Sequence, residues 1–208
     1  MVRIQLYFAD IQQLKRYEAA ALPLLTSERR AEAERIKPEQ ERLHCIVAGL
    51  LLRHVLGVTS DSQLRRNEYG RPELAGEGPC FNLSHGGGRV VLAVCSVPVG
   101  VDIEPVGEKL PIAIPRRFLR PDELAWLGEK PTPERFVWLW TRLESALKAD
   151  GRGFGLEQRN FSVLESGQPW YLETLLRDGH YVSCAAGEPF EVELEELQVN
   201  DLLNEKLP

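Results

Sequence analysis

The chain contains two long amphipathic segments, and their recurrence constrains its fold more than any other feature. One runs from about Glu39 to Leu56 and ends at Gly57, and the other runs from about Pro133 to Asp150 and ends at Gly151. Apolar residues at three- and four-residue spacing predict a helix with one buried face, and glycine commonly ends such a helix. Each segment is followed by strand-like patterns, so helix followed by strands occurs twice.

Shorter patterns complete the two halves. A first helix begins at a capping residue, Thr26 or Ser27, and is interrupted at Pro38, and helical pattern returns from Pro111. The predicted strands are Met1–Phe8, Cys80–Leu83, Arg89–Ser96 and Val99–Glu104 in the first half, and Asn160–Leu164, Pro169–Leu175, Tyr181–Ala186 and Phe190–Leu194 in the second. We therefore predict two α/β lobes, residues 1–104 and 105–208.

The two long helices match when they are aligned 93 residues apart. Glu41-Arg42 and Glu134-Arg135 begin the match, apolar runs follow, and the closing glycines fall one position out of step. An internal duplication explains this match, but so does chance, because all amphipathic helices share one period. In a duplicated chain the seam between the copies is a common place for a ligand cleft.

Composition and charge exclude several classes of protein. The 208 residues are 43% hydrophobic and 27% charged, as in a globular protein with a sizeable core. The net charge of −6 arises within Glu188–Pro208, and no segment has the basic excess of a nucleic-acid-binding surface. The longest apolar run, Cys45–Leu52, is too short to span a membrane, and the N-terminus lacks a signal-peptide pattern. Four cysteines and four histidines without metal-ligand spacing predict free thiols, a cytoplasmic location and no zinc site.

Three carboxylates and a lysine stand where these segments would otherwise be apolar. Asp102 and Glu104 lie two apart in a predicted strand and share a face, and Glu144 and Lys148 lie four apart on the second long helix and also share a face. Three carboxylates suit a hard divalent cation such as Mg²⁺, which gathers substrate phosphates. Each pair also has an ordinary explanation, either a helical ion pair or a solvated strand end.

The segment Phe81–Gly88 favours the functional interpretation. It predicts a strand that ends in Ser84-His85 and three glycines, which is an exposed turn whose free amides suit a phosphate. A flexible hairpin, with Ser84 capping the turn and His85 in water, is the structural alternative. A Ser–His nucleophile pair is disfavoured, because adjacent residues of an extended chain point in opposite directions.

Together these residues resemble the 4′-phosphopantetheinyl transferases, specifically the surfactin-synthetase-activating type. The resemblance covers most of the chain and is strongest in Phe81-Asn-Leu-Ser-His85, Val99-Gly-Val-Asp-Ile-Glu104, Trp140-Thr-Arg-Leu-Glu-Ser-Ala-Leu-Lys148 and Gly151-Arg-Gly-Phe154. Supporting motifs are Glu68-Tyr-Gly-Arg-Pro72, Arg117-Phe118 and Tyr181-Val-Ser-Cys-Ala-Ala186. All of them occur in the family's order and at its spacings.

The resemblance implies an α/β fold of the α+β kind. This fold is a pseudo-dimer of two similar lobes, each a small, mainly antiparallel sheet packed with a long helix, with one active site at the lobe interface. It also implies a reaction, the transfer of the 4′-phosphopantetheine arm of coenzyme A to a serine hydroxyl of an apo acyl or peptidyl carrier protein. The other product is 3′,5′-ADP.

The same likeness implies a role for each site residue. Asp102, Glu104 and Glu144 are expected to hold Mg²⁺ against the pyrophosphate of coenzyme A. Glu144 is also expected to take the serine proton, directly or through water, and Lys148 to stabilise or protonate the leaving 3′,5′-ADP. The residues expected to bind the nucleotide and its phosphates are Arg71, Ser84, His85, Arg29 and His44.

Three positions depart from the family pattern. Leu143 stands where a lysine often precedes the helix glutamate, and His44 replaces an arginine that often contacts the coenzyme A phosphate. Glu32 interrupts a basic cluster that Arg29 and Arg30 begin. We therefore expect weaker or slower use of coenzyme A, although all the metal ligands are retained.

Two other functions stay open on these residues. One is a Mg²⁺-dependent phosphohydrolase or nucleotidyl enzyme, and the other is a catalytically silent module that binds carrier proteins. Arg116, Arg117 and Arg120 are either contacts for an acidic carrier or a solvated helix face. The choice of carrier and the choice between Mg²⁺ and Mn²⁺ are also open, and an internal duplication favours a monomer.

Overall fold

The computed structural model describes residues 1–107, 118–152 and 160–204. Within these ranges the helices are α1 (Ile11–Leu14), α2 (Glu18–Ala21), α3 (Ser27–Arg35), α4 (Glu39–Leu56), α5 (Pro121–Leu127), α6 (Pro133–Asp150) and α7 (Val199–Leu203). The strands are β1 (Val2–Asp10), β2 (Leu64–Arg66), β3 (Pro72–Leu74), β4 (Cys80–Gly86), β5 (Arg89–Cys95), β6 (Val99–Pro105), β7 (Tyr171–Arg177), β8 (His180–Ala186) and β9 (Phe190–Glu196). The fold is mixed α/β with mainly antiparallel sheets, which confirms the predicted class.

Four layers of secondary structure stack on one another. Strands β4-β5-β1-β9 form one sheet, strands β6-β8-β7 form a second, and β2-β3 form a separate pair. One face of the first sheet packs on α4, in a buried cluster that contains Leu92 and Ile46, and its other face packs on the second sheet, in a cluster that contains Leu6 and Val101. The far face of the second sheet carries α6, so each long helix covers one outer face.

The two predicted long helices are confirmed. Both α4 and α6 have 18 residues and the predicted bounds. Gly57 and Gly151 end them in the left-handed conformation, with φ of 67° and 83°. The predicted strands are also found, within about three residues at each end, except for the one at Asn160–Leu164. No helix of the described ranges is both long enough and apolar enough to cross a membrane.

The segment Asn160–Leu164 is not a strand, so that prediction is wrong. The amide of Val163 donates to the Glu123 carboxylate (2.9 Å), and its carbonyl oxygen accepts from the Arg142 side chain (2.5 Å). Both side chains are buried, and they occupy the two backbone groups that a strand would pair with its neighbours. The alternation of apolar residues reflects packing of Phe161 and Val163 in the core beneath α6.

The sheets do not divide at residue 104. Strand β6 pairs with β8 from later in the chain, and β9 pairs in parallel with β1 from the start of the chain. Pro98 and Pro189 immediately precede β6 and β9, and at both places the chain crosses from one sheet to the other. The division into lobes of 1–104 and 105–208 stays a prediction. If it holds, β6 of the first lobe pairs with a strand of the second, and β9 of the second lobe pairs with a strand of the first.

Helix α6 lies directly on β6, and Gly100 permits this contact. Ile103 is buried against the first sheet, whereas Gly100 and Asp102 face the opposite side, because side chains alternate along a strand. A Cβ atom at residue 100 would overlap the backbone of Ser145 and Ala149 in α6. Glycine therefore lets the helix backbone approach the strand closely, which brings the polar face of α6 to Asp102.

We predict that Gly100→Ala lowers the free energy of unfolding by about 3 kcal/mol, because overpacking costs about 1–3 kcal/mol and the obstacle here is rigid backbone. Urea denaturation followed by circular dichroism measures the change. Gly76→Ala is the matched control, since a Cβ there meets nothing within 4 Å. Equal midpoints for the two variants would contradict the close approach.

Candidate active site

Ser84, Asp102 and Lys148 form a connected group of polar side chains. Lys148 from α6 donates from Nζ to Asp102 Oδ1 (2.7 Å), to Ser84 Oγ (2.9 Å) and to the Val101 carbonyl oxygen (3.2 Å). The Ser84 hydroxyl donates to the same Asp102 oxygen (2.8 Å). Asp102 is only 4% exposed, so the ammonium and hydroxyl groups are what compensate its negative charge.

Strand β4 connects this group to α4, because its side chains alternate between two neighbours. Asn82 Oδ1 accepts from the Val101 amide of β6 (2.9 Å), and Ser84 points the same way. His85 points to the other side and stacks on His44 of α4. One strand thus contacts both of the places where sequence analysis predicts functional residues.

Glu144 lies one helical turn before Lys148 on the same face of α6. Burial and the negative charge of Asp102 raise the pKa of the Glu144 carboxyl from 4.5 to about 7, and the positive charge of Lys148 opposes this rise. Glu104 is half-buried further along β6, with Oε2 3.3 Å from the position that a Cβ of Gly86 would take. The structure therefore brings Glu144 and Lys148 to Asp102 and places Glu104 beside the end of β4.

The donor set at Asp102 fits a divalent cation. Asp102 Oδ2 is buried and has no hydrogen-bond partner among the residues that the structure describes. A buried acceptor without a partner costs free energy that a cation would recover. Asp102, Glu104 and Glu144 offer hard carboxylate oxygens, the ligands that Mg²⁺ prefers. The predicted ligands therefore fit Mg²⁺ in type and charge, whereas their oxygens do not all lie within 4.8 Å of one another.

A second polar cluster joins α4 to β4. Ligand-type atoms of Glu41, His44 and His85 lie within 4.8 Å of one another, the one group of three that meets this spacing in the described ranges. The two imidazole rings stack with centroids 4.4 Å apart and planes 19° from parallel. Desolvation lowers the pKa of both imidazoles. The prediction of scattered histidines is wrong for this pair, because packing of α4 on β4 joins residues that are distant in sequence.

Arg71 fastens three elements of the site together. Its Nη1 donates to the carbonyl oxygens of Lys148 (2.9 Å) and Ala149 (3.0 Å), and its Nη2 to those of Val99 (3.1 Å) and Phe81 (3.4 Å). These carbonyls belong to the end of α6, to β6 and to β4. The guanidinium group is thus bound to backbone, a role that sequence analysis missed, and its contact with a nucleotide stays a prediction.

A cleft of about 270 Å³ opens beside Arg71 and Lys148. Tyr69, Gly70 and Gly151 also line it. Its volume is close to the lower end of the range for small-molecule sites. Lys148 therefore contacts the carboxylate group and also borders a space that is open to a ligand.

The structure puts Arg29 in a different cleft. That cleft, of about 230 Å³, is also lined by Arg65, Arg66 and Glu32. Arg29 forms an ion pair with Glu32 (3.7 Å), so this acid competes with any phosphate for the positive charge. Of the predicted donor-binding residues, Arg71 lines the cleft at Lys148, whereas Arg29, Ser84, His85 and His44 do not.

The glycine turn Gly86–Gly88 is a tight hairpin between β4 and β5. Gly87 and Gly88 have φ of 52° and 86°, and the Gly88 carbonyl accepts from the Ile11 amide (3.0 Å). This backbone matches the hairpin alternative, although Ser84 is buried against Asp102 instead of capping the turn. Phosphate binding by the turn amides stays a prediction.

Some predicted positions lie outside the described residues. They are Arg116 and Arg117, as candidate carrier contacts, and Gly153 and Phe154, as part of a family motif. Arg120 is described, and it pairs with Asp122 (3.1 Å) at the start of α5.

Known proteins are similar to this chain over most of its length. A sequence model described as the 4′-phosphopantetheinyl transferase superfamily matches residues 98–194. The chain is 30% identical over 168 residues to the 4′-phosphopantetheinyl transferase gsp of Aneurinibacillus migulanus, a match that covers 72% of this chain and 70% of that protein. The chain belongs to the 4′-phosphopantetheinyl transferase family.

Two further phosphopantetheinyl transferases support the Sfp type. The transferase Sfp of Bacillus subtilis (strain 168) is 27% identical over 205 residues, which cover 88% of this chain and 91% of Sfp. The transferase psf-1 of Bacillus pumilus is 29% identical over 192 residues, which cover 87% and 80% of the two chains. The surfactin-synthetase-activating resemblance is therefore confirmed.

The family model covers only part of the predicted site of this phosphopantetheinyl transferase. Asp102, Glu104, Glu144 and Lys148 lie inside residues 98–194, whereas the predicted donor-binding residues lie before this range.

Leu143, where the family often has lysine, is fully buried between α6 and the second sheet. Position 143 therefore contributes to the core here and is closed to a phosphate.

Sequence analysis also missed Glu41 as a member of the histidine cluster. Glu41 and His44 lie three apart on α4, a spacing that places both on one helix face and was visible in the sequence. Nothing local to either residue indicated His85, which comes from a different element. The cluster could be found only once α4 was packed on β4.

We predict that Asp102→Asn lowers the pKa of the Glu144 carboxyl and that Lys148→Met raises it further. The first change removes a negative neighbour and the second removes a positive one. Carbon-13 NMR titration of the side-chain carboxyls in metal-free protein measures both shifts, and the exposed Glu134 on the same helix serves as an internal control. A Glu144 pKa that moved the same way in both variants would contradict this electrostatic account.

Proposed function

We propose that the Asp102, Glu144 and Lys148 site transfers the 4′-phosphopantetheine arm of coenzyme A to a serine hydroxyl of an apo acyl or peptidyl carrier protein, with release of 3′,5′-ADP. Family membership supplies the reaction class, since phosphopantetheinyl transferases move phosphopantetheine to carrier proteins. The observation that supports this location is the contact of Lys148 with Asp102, next to a carboxyl of raised pKa and beside an open cleft.

Glu144 is the proposed general base. A serine hydroxyl is a poor nucleophile at neutral pH, so a base has to take its proton as the oxygen attacks phosphorus. The pKa of the Glu144 carboxyl is about 7 in the metal-free protein, and a cation bound beside it would lower this pKa, so the ionised carboxylate is available to accept a proton at neutral pH. The burial that raises this pKa also limits competition from water.

Lys148 is the proposed partner of the leaving group. When the serine oxygen bonds to phosphorus, the bridging P–O bond breaks and negative charge develops on 3′,5′-ADP. The Lys148 ammonium borders the cleft and can donate to that oxygen. Asp102 and Ser84 hold the ammonium in place, and Arg71 fixes the backbone from which it projects.

Asp102, Glu104 and Glu144 are the residues that would hold a divalent cation. Mg²⁺ bound there would neutralise charge on the pyrophosphate of coenzyme A and polarise the phosphorus under attack. Asp102 Oδ2, which has no hydrogen-bond partner within residues 1–107, 118–152 and 160–204, supports this assignment. Mn²⁺ has the same preference for oxygen ligands and fits the same set.

The donor nucleotide is proposed to lie in the cleft that Arg71 and Lys148 line and to extend from it toward Ser84 and His85. His44 and Arg29 are proposed to contribute further out, toward the 3′-phosphate. Each of these two residues has a carboxylate beside it: Glu41 lies next to His44, and Glu32 pairs with Arg29. This negative charge supports the expectation of weaker coenzyme A binding.

The pseudo-dimer is also a proposal, and the strand lengths support it. Strands β7, β8 and β9 each have seven residues, as do β4, β5 and β6. Each begins 91 residues after its counterpart, at 171, 180 and 190 against 80, 89 and 99. Helix α6 begins 94 residues after α4, at 133 against 39, and has the same length. The active site would then lie where the copies meet, with Ser84 and Asp102 from one and Glu144 and Lys148 from the other.

The remaining expectations concern the setting of the enzyme. We expect a monomer, because the duplicated unit supplies both sides of the site. We expect a cytoplasmic enzyme whose macromolecular partner is an acidic carrier protein and not a nucleic acid. Arg120 stays a candidate carrier contact.

Mass spectrometry of apo carrier proteins incubated with the enzyme, coenzyme A and Mg²⁺ tests the proposal. We predict a gain of one phosphopantetheine on the carrier serine, which EDTA abolishes. Loss of the base should slow the Glu144→Gln variant by about 10²–10⁴-fold, and loss of the ammonium should slow Lys148→Met by about 10²–10³-fold.

The matched control is Glu134→Gln, which removes an exposed carboxylate from the same helix and should leave the rate unchanged. Release of free phosphopantetheine without carrier modification would favour the phosphohydrolase alternative. Coenzyme A binding without transfer to any acyl or peptidyl carrier would favour the silent module. Full activity in Glu144→Gln would exclude Glu144 as the base.

A further inference from the structure

Side chains beneath α6 form a buried chain of hydrogen bonds. Arg142 Nη1 donates to Thr174 Oγ1 (3.2 Å), and the Thr174 and Ser183 hydroxyl oxygens lie 2.9 Å apart. The Ser183 and Thr141 hydroxyl oxygens lie 2.8 Å apart, and the Thr141 hydroxyl donates to the Trp138 carbonyl oxygen (3.2 Å). Thr141 and Ser183 are fully buried, so water does not compete for the bond between them.

The direction of each bond in this chain follows from the groups at its two ends. A guanidinium group only donates, a carbonyl oxygen only accepts, and each hydroxyl has a single proton. Thr174 accepts from Arg142 and therefore donates to Ser183. The Thr141 proton is used on the carbonyl oxygen, so Ser183 donates to Thr141. Each hydroxyl proton is used once, and a buried network that is satisfied in this way holds its members in one arrangement.

The chain reaches α6 beside the proposed active site. Ser183 of β8 is the register partner of Asp102 of β6, and both side chains face α6. On the helix Thr141 lies three residues before Glu144 and seven before Lys148, and these spacings place all three on one face. The bond from Ser183 is therefore made to the helix face that carries the proposed base and the proposed partner of the leaving group.

We propose that Thr141 is a positioning residue for the transfer reaction, because its bond to Ser183 fixes the rotation of α6 about its own axis and so directs Glu144 and Lys148 toward Asp102. This inference rests on the function proposed above for the two helix residues. Thr141 itself touches neither substrate nor the reacting atoms in this account.

A directional bond is needed because a small rotation of α6 has a large effect at the site. A helix with its side chains is about 10–12 Å across, so a rotation of about 10° moves a side-chain tip by about 1 Å. A misplacement of about 1 Å can slow a reaction by about 10²-fold. The packing of Leu143 and Leu147 and the close approach at Gly100 are van der Waals contacts without a preferred direction. A hydrogen bond weakens steeply as its angle closes, so it resists rotation.

Steady-state kinetics of carrier modification tests the proposal. Thr141→Val keeps the shape of the side chain and removes the hydroxyl, so kcat should fall by about 10–100-fold while KM for coenzyme A changes by less than about threefold. Thr141→Ser keeps the hydroxyl and should restore kcat. Thr174→Val is the matched control, because it removes a hydroxyl of the same chain, costs stability, and leaves the bond from Ser183 to Thr141 in place. Its kcat should stay within about threefold of the parent value.

Ser183→Ala removes the other partner of the same bond and should reproduce the loss of kcat. The double variant Thr141→Val/Ser183→Ala should lose no more than either single variant, since both changes act through one bond. Ser183→Ala also keeps the test decisive where Thr141→Val does not fold, which circular dichroism shows.

A second readout does not require an active enzyme. Nitrogen-15 NMR of the lysine ammonium groups measures proton exchange with water, and three hydrogen bonds should protect the Lys148 ammonium from exchange. Thr141→Val should lose this protection and Thr174→Val should keep it. Unchanged kcat and exchange in Thr141→Val, or an equal loss of kcat in Thr174→Val, would overturn the proposal. A parent protein that modifies no carrier would contradict the proposed transfer instead, and the exchange measurement would still decide whether Thr141 positions α6.

Discussion

The approach of α6 to β6 at Gly100 is the constraint on which the rest of the site depends. Any side chain at this position would meet the backbone of Ser145 and Ala149 and push the helix away from the strand. The helix carries Glu144 and Lys148, and the strand carries Asp102, so their separation follows directly from this contact. The close packing that builds the core therefore also sets the distances between the charged groups.

Electrostatics then gives each of these charged groups a distinct property. One oxygen of Asp102 accepts from the Lys148 ammonium and the Ser84 hydroxyl, and the other is buried without a hydrogen-bond partner in the described part of the chain. Burial and the negative charge of Asp102 raise the pKa of Glu144 to about 7, although the Lys148 ammonium opposes this rise. The proposed transfer needs a base, a cation site and a partner for a leaving phosphate, and the α6–β6 interface supplies groups that are suited to all three.

Sequence patterns predicted the elements of this fold better than their arrangement. The bounds of α4 and α6 follow from apolar periodicity and a closing glycine, and the pairing of Glu144 with Lys148 follows from helical spacing. Partners in a sheet are not encoded locally, so the pairing of β6 with β8 and of β9 with β1 could not be predicted. The hydrogen bonds from Arg71 to backbone carbonyls and the stacking of His44 on His85 also could not be predicted, because each joins elements that are far apart in the chain. Asn160–Leu164 has a strand-like pattern but is not a strand, because buried side chains form the hydrogen bonds with its backbone that a neighbouring strand would otherwise form.

Phosphorus-31 NMR of bound coenzyme A, with Mn²⁺ in place of Mg²⁺, tests the central claim most directly. Paramagnetic broadening falls steeply with distance, so it shows which phosphate lies next to the ion. The account predicts that the two pyrophosphate resonances broaden more than the 3′-phosphate resonance, and that this difference disappears in Asp102→Asn. Equal or greater broadening of the 3′-phosphate, or the same pattern in Asp102→Asn, would show that the carboxylates at the α6–β6 contact do not hold the ion.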